Sequence, residues 1–409
     1  MGLFLYKAVE MAKAAWILPA KTGMELASWG LRWNPAAMAF GGAEAAAFFD
    51  VGARLGKSYG KPEWRNEQWG HSIAIEVLWG TPFGRLIRFA SPDGETRPKL
   101  LIAAPLSGHY PTLLRETVKE LSKTNDVYLT EWINARDVPL SMGDFSLDDY
   151  VDFLRNSLRF LAERDVRPCH AMSVCQPTVP MLAAASLLAQ DREPAAPASL
   201  IMIGGPIDAR KSPTATNNFA QKHGLDWFEE KLISIVPLPY AGAGRRVYPG
   251  FLQHMGFVSM NPSRHAQAHQ SFFESLVKGD KAGAEKHREF YDEYNAVMDL
   301  PAPYYLQTIQ KIFKDFDLPQ GRLSVCGRLV DPRAIESSLM TIEGELDDIS
   351  GSGQTHSAQD LCSSVDSARR EVFTAPGVGH YGVFSGSSFR EAIAPRINAF
   401  IVKNYKKTK

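Results

Sequence analysis

Cysteine is scarce in this chain: there are four in 409 residues, Cys169, Cys175, Cys326 and Cys362. So low a density excludes a disulfide framework and suits a reducing compartment. Excess charge is lacking too. Forty-five Lys and Arg balance forty-five Asp and Glu, which leaves no basic footprint for nucleic acid. The short basic run at 403–409 reads as a solvated terminus. No stretch approaches the ~18 consecutive apolar residues needed to span a bilayer. Residues 1–16 carry Lys7, Glu10 and Lys13 among their apolar positions; these break any signal-peptide core and predict an amphipathic helix. A cytoplasmic protein is expected.

What is present is apolar sequence in short, alternating pieces. Hydrophobic residues make up 45% of the chain, enough to bury a large core. The first ~60 residues read as helices rich in Ala and Trp. Runs at 72–79 and 85–89, divided by a Gly-Thr-Pro turn, read as antiparallel entry strands. Alternation follows: a strand at 100–106, a helix near 111–123, a strand at 126–132 and a helix opening at Ser146, where the hydroxyl and Asp149 form an N-terminal signal. Tyr150, Leu154, Leu158 and Leu161 recur at helical spacing and face a core. A strand at 167–172, an Ala/Leu-rich helix at 179–188 and a strand at 200–206 continue the series. This is the pattern of an α/β protein with a mostly parallel, doubly wound sheet. It breaks at 207–320, a stretch too long for an ordinary connection and rich in aromatic and helical signals. We expect an inserted, largely helical cap there. Three segments result: 1–206, the first part of the core with the N-terminal helices; 207–320, the cap; and 321–409, the second part of the core.

The chemistry centres on Met172-Ser173-Val174-Cys175-Gln176-Pro177. A strand, a sharp turn carrying a nucleophile and a helix make the elbow of the α/β-hydrolase fold, usually G-x-S-x-G. Here it reads S-x-C-x-P, with a small residue before the thiol and a proline acceptable in the first helical turn. Most free cysteines are small buried hydrophobes, but the remainder of a triad follows in hydrolase order. An apolar strand ends at Gly344 with Asp347 three residues on, and a last strand at 370–375 runs into Pro376-Gly377-Val378-Gly379-His380-Tyr381-Gly382. A thiol needs an imidazole to take its proton, and the imidazole needs a carboxylate on its other nitrogen. Cys175, His380 and Asp347 are therefore the catalytic candidates, with Asp348 the fallback acid and His109 the runner-up base. An oxyanion needs two fixed donors. We expect the N–H of Gln176, directly after the nucleophile, and one at or beside Ser107, in the loop after strand 100–106.

Other histidines and aromatics are weighed against simpler roles. His265 and His269 stand one helical turn apart without the acid of a zinc-protease motif, so a solvated helix face is expected and no metal. His170 and Cys169 read as buried packing. Most cap aromatics fall on helical faces and belong to the cap core. The segment 248–257 has too much Pro and Gly for a long helix, and Tyr248, Phe251, Met255 and Phe257 are the substrate-binding candidates.

With these residues in place, the chain resembles the intracellular polyhydroxyalkanoate depolymerases, bacterial enzymes that mobilise stored poly(3-hydroxybutyrate). The resemblance rests on Ser173-Val174-Cys175-Gln176-Pro177-Thr178-Val179-Pro180, on Glu343-Gly344-Glu345-Leu346-Asp347-Asp348-Ile349-Ser350-Gly351 and on the glycine-rich histidine loop. It implies an α/β-hydrolase with Cys175 as nucleophile, Asp347 as acid and His380 as base, acting without cofactor on the amorphous polyester of cytoplasmic granules. The segment 128–134 and Leu147-Asp148-Asp149-Tyr150-Val151 also look like the related polyester synthases, which share a catalytic cysteine. Ser173 and Pro177 depart from the synthase elbow, G-x-C-x-G, and favour the depolymerase. Two readings stay open beside it: a synthase-like acyltransferase, and a non-catalytic granule-surface protein on a hydrolase fold. The aromatic surface assigned to polymer would equally serve a homodimer interface.

Overall fold

Near-continuous apolar runs become strands buried on both faces, which is what a parallel sheet covered by helices demands. A computed structural model describes residues 2–34, 36–37, 41–55, 60–65, 69, 73–260 and 262–405 of the chain. Its main sheet has eight strands: β1 (Ala74–Gly80), β2 (Gly84–Ala90), β3 (Lys99–Ala103), β4 (Asp126–Trp132), β5 (Cys169–Val174), β6 (Ser199–Ile203), β7 (Ser338–Gly344) and β8 (Arg370–Ala375). Their spatial order is β1-β2-β4-β3-β5-β6-β7-β8. β2 pairs antiparallel with β1 and β4, and every later pairing is parallel. That order, with one reversal of neighbours at β3 and β4, is the α/β-hydrolase topology. Met1, Ser72 and the basic residues 406–409, all included in the sequence expectations, lie outside the described residues.

Two helices flank the centre of the sheet. α1 (Leu147–Arg164) starts as the sequence predicts: the Ser146 hydroxyl accepts from the Asp149 N–H, and the Asp149 carboxylate accepts from the Ser146 N–H. Tyr150, Leu154, Leu158 and Leu161 are buried beneath it. α2 (Thr178–Gln190) is apolar all round and buried from Thr178 to Leu188, as expected of a helix enclosed on every side. Each Leu or Val so enclosed contributes roughly 1.5–3 kcal/mol, so the elbow it carries is firmly held.

Between β6 and β7 lies the long insertion. It contains α3 (Ala215–Lys222), α4 (Leu225–Leu232), α5 (Gly250–Met260), α6 (Pro262–Lys278), α7 (Lys281–Tyr294) and α8 (Ala302–Thr308), with a small antiparallel sheet of Ser234–Ile235, Arg246–Tyr248 and Leu300–Pro301. One expectation is corrected here. The glycine-containing stretch around 250–257 is a regular helix, α5, with Gly250 at its start close against the Val297 and Met298 carbonyls.

The N-terminal helices, Gly2–Ala12, Leu18–Arg32 and Gly42–Leu55, dock on this insertion. The Tyr6 hydroxyl donates to the buried Asp299 carboxylate, its ring meets Phe251 edge-on at 5.6 Å, and Arg54 pairs with Asp292 on α7 at 2.6 Å. Met11, Trp16, Leu26, Trp29, Trp33 and Phe48 remain largely exposed on them.

Candidate active site

The elbow is built from a backbone that only a special position tolerates. Cys175 follows β5 with φ of 66°, the left-handed region that costs an ordinary L-residue roughly 1–2 kcal/mol. Its N–H donates to the Ile203 carbonyl at 2.7 Å, and its carbonyl accepts from Thr178 at the start of α2. Glycine is required beside it: a Cβ on Gly205 would lie 2.3 Å from the Cys175 carbonyl oxygen and 2.0 Å from Thr178 Oγ1. Pro177 stands at the N-cap of α2 with φ −70°. Small residues line this turn because β6 and the elbow touch.

The acid and the histidine converge from the ends of β7 and β8. Asp347 Oδ2 accepts from His380 Nδ1 at 2.8 Å, while Asp347 Oδ1 accepts from the N–H groups of Ile349 and Ser350 at 2.9 and 2.8 Å. The carboxylate is fully buried and the imidazole nearly so. Asp348 is exposed. Burial opposes a charge on His380, but the neighbouring Cys175 and the hydrogen-bonded Asp347 carboxylate outweigh it and hold the His380 pKa well above its usual 6.5. Gly204, next to the Ile203 carbonyl that holds Cys175, lies against this pair: a Cβ there would meet Asp347 Oδ2 at 3.4 Å and His380 Cε1 at 3.5 Å.

The loop after β3 is fixed just as tightly. The Ala104 carbonyl accepts from both Trp132 Nε1 and the Tyr150 hydroxyl at 2.8 Å, and the Ala104 N–H donates to Thr130. Farther along, Leu106 N–H donates to Gln176 Oε1 at 3.2 Å and Gly108 accepts from Met298 N–H at 2.7 Å. Gly108, with φ of 118°, leaves no space for a Cβ, which would sit 2.4 Å from Gln253 Oε1. Ser107 and Gln176 thus face Cys175 from a loop and an elbow tied to each other by Gln176 itself.

A cavity of about 560 Å³ opens at Cys175, Gln176 and Ser107, within the range of ligand pockets, and the insertion supplies its far wall. Of the four substrate-binding candidates, Tyr248 and Phe257 line it. Phe251 and Met255 do not, and the helical period explains why. On α5, residues 253, 256 and 257 face this cavity; Phe251 turns to Tyr6, and Met255 points outward, 64% exposed. Sequence reasoning missed Tyr304, Thr308 and Ser350 as site residues; the first two lie one turn apart on α8, the third in the loop after β7, and they meet only in the folded cavity. Tyr304 and Cys175 line the same cavity.

The remaining histidines are engaged elsewhere. His109 is buried, bonds the Tyr294 carbonyl at 3.0 Å and stacks on Phe257, and burial lowers its pKa to about 4. His170 bonds Ser199 at 2.8 Å inside the sheet. His265 and His269 do not form the solvated face expected of them. They pack on α7, where His265 Nδ1 meets the Tyr291 hydroxyl at 2.9 Å and the His269 ring lies 4.7 Å from that of Tyr291. No group of three or more His, Cys, Asp or Glu suited to a metal occurs among the described residues.

Residues 204–405 match the model of the family described as PHB de-polymerase C-terminus. The second half of the chain belongs to the PHB depolymerase family. With that membership the protein is an ester hydrolase acting on polyester. No curated protein matches the chain. Similar solved structures include a putative lipase (lip1) from Acinetobacter baumannii AYE, 13% identical over 86% of this chain and 99% of that one, with a TM-score of 0.45. A thermophilic esterase from Thermogutta terrifontis is 12% identical over 82% and 99%, at 0.42. DcsB in complex with its substrate analogue is 14% identical over 82% and 100%, at 0.47. The fold assignment rests on the strand order above.

Proposed function

We propose that this PHB depolymerase cleaves amorphous poly(3-hydroxybutyrate) of storage granules in the cytoplasm through a Cys175–His380–Asp347 triad. The observation that carries the reading is Cys175, held at a left-handed elbow in reach of the His380–Asp347 pair and opening into an aromatic cavity. Buried donors in that cavity support the substrate class. Gln176 Nε2 and Ser350 Oγ have no hydrogen-bond partner among the described residues. A polyester chain offers ester acceptors and no donors between its ends, so its carbonyls satisfy such groups.

Two acyl transfers follow. The Cys175 thiol passes its proton to His380 as the sulfur attacks an ester carbonyl carbon, and the negative charge moves to the carbonyl oxygen, held by the N–H groups of Gln176 and Ser107. When the carbonyl reforms, the C–O bond to the alcohol side breaks and His380 gives that oxygen its proton. Water then adds to the thioester with His380 as base, releasing the carboxylic acid and the free thiol. Asp347 keeps the imidazole oriented and stabilises its charge throughout. No cofactor is needed, and no helix among the described residues is long and apolar enough to cross a membrane. Attachment to the granule falls to the exposed apolar faces of the N-terminal helices.

Purified wild-type protein should release 3-hydroxybutyrate or its oligomers from amorphous granules, read by mass spectrometry. Cys175→Ala should lose activity about 10⁴-fold or more. Equal release by the variant would remove the thiol from the mechanism. Release that requires an added thioester donor would favour the acyltransferase instead.

A further inference from the structure

A second groove, of about 470 Å³, adjoins the Cys175 cavity and reaches the sequence neighbours of Asp347 and His380. Asp348, Ile349 and Tyr381, sequence neighbours of the acid and the histidine, form one wall. Phe257 and Ile349 belong to both this groove and the Cys175 cavity, so the two spaces adjoin. The opposite walls are α6 and α7. On α6, Ala268, Ser271, Phe272 and Ser275 present one helical face; on α7, His287, Phe290 and Tyr294 present another.

We propose that this groove binds the alcohol-side stretch of the polyester chain; the assignment rests on the depolymerase reading above. The chemistry gives the direction. The acyl arm stays bonded to Cys175, whereas the alcohol arm leaves with a proton from His380, and it departs past the residues that adjoin His380 and Asp347. A groove beside Tyr381 and Asp348 lies on that path.

Its lining also suits an uncharged chain of esters. The surface is mainly aromatic, and neither ring nitrogen of His287 has a hydrogen-bond partner among the described residues. The ring stacks on Phe272 at 4.2 Å. Burial, then His269 and the arginines Arg54 and Arg288, push its pKa down to about 4, so at neutral pH it offers one N–H. A polyester carbonyl is a partner for that N–H which requires no charge in return.

Ser271→Trp and Ala268→Trp fill the groove from α6 and leave the Cys175 cavity untouched. Wild type and both variants are compared on 3-hydroxybutyrate oligomers and on vinyl butyrate, whose alcohol side is a bare vinyl group. The expected result is a loss of kcat/KM on oligomers of about tenfold or more in each variant, with vinyl butyrate changed less than about twofold. His287→Leu should raise KM for oligomers and spare the small ester. Retained turnover of vinyl butyrate shows that the variants are folded. Equal losses on both substrates, or no loss on either, in both variants would overturn the groove assignment while the depolymerase reading stands. Wild-type protein that cleaves vinyl butyrate but no oligomer overturns the depolymerase reading and the groove's ligand together.

Discussion

His380 joins two opposing influences, and removing one partner shows which prevails. Burial favours the neutral ring, and Cys175 and the Asp347 carboxylate beside it favour the imidazolium. In Asp347→Asn one of the raising charges is gone, so the His380 pKa should fall, read from the imidazole proton and nitrogen shifts through a pH titration. The same linkage has a stability consequence. A raised folded pKa contributes stability that is full below the unfolded value near 6.5 and is lost as pH rises through the folded value. Wild type should therefore lose this contribution only at alkaline pH, and Asp347→Asn should lose what remains of it at lower pH. A His380 pKa unmoved by the substitution would detach the carboxylate from the ring's charge.

At the scale of elements, the site depends on how closely β6 passes the elbow. A Cβ at Gly205 meets Thr178 and the Cys175 carbonyl at distances that no packing adjustment accommodates. Gly205→Ala should cost about 1–3 kcal/mol in a thermal melt and lower kcat/KM by roughly 10–100-fold through displacement of the thiol. Unchanged activity would mean that the elbow is not rigidly placed. The elements themselves were largely legible. Runs such as 100–104 and 200–203 can only be buried strands, and Ser146 with Asp149 marks a helix start whatever surrounds it. The elbow, the acid and the histidine were legible because each follows a strand in a short glycine- or proline-marked turn. Phe251 and Met255 were misjudged because Gly250 and Gly256 hid the helical period that turns them away. Tyr304, Thr308 and Ser350 left no local signal, since these hydroxyls reach the cavity only where α8 and the loop after β7 converge.

At the scale of the whole molecule, the N-terminal helices read from sequence as helices, but an apolar stripe does not name its partner. Here the partner is the insertion rather than the sheet, through Tyr6, Asp299 and the Gly250 N–H that donates to the same carboxylate at 2.8 Å. Burial raises the Asp299 pKa, so the Tyr6 hydroxyl is a needed donor. Tyr6→Phe should weaken this docking by about 1–3 kcal/mol and speed proteolytic release of the N-terminal helices, followed by mass spectrometry, while turnover of vinyl butyrate persists. Release at the wild-type rate would place the anchor elsewhere. The strand order carries one more implication. Cys175 directly follows β5, but His380 follows β8, the last strand of the sheet. During synthesis roughly 200 residues separate their emergence, which at 5–20 residues per second is about 10–40 s. The nascent chain thus exposes the candidate nucleophile well before its candidate base, and a ribosome that stalls short of β8 yields a chain that lacks the proposed triad.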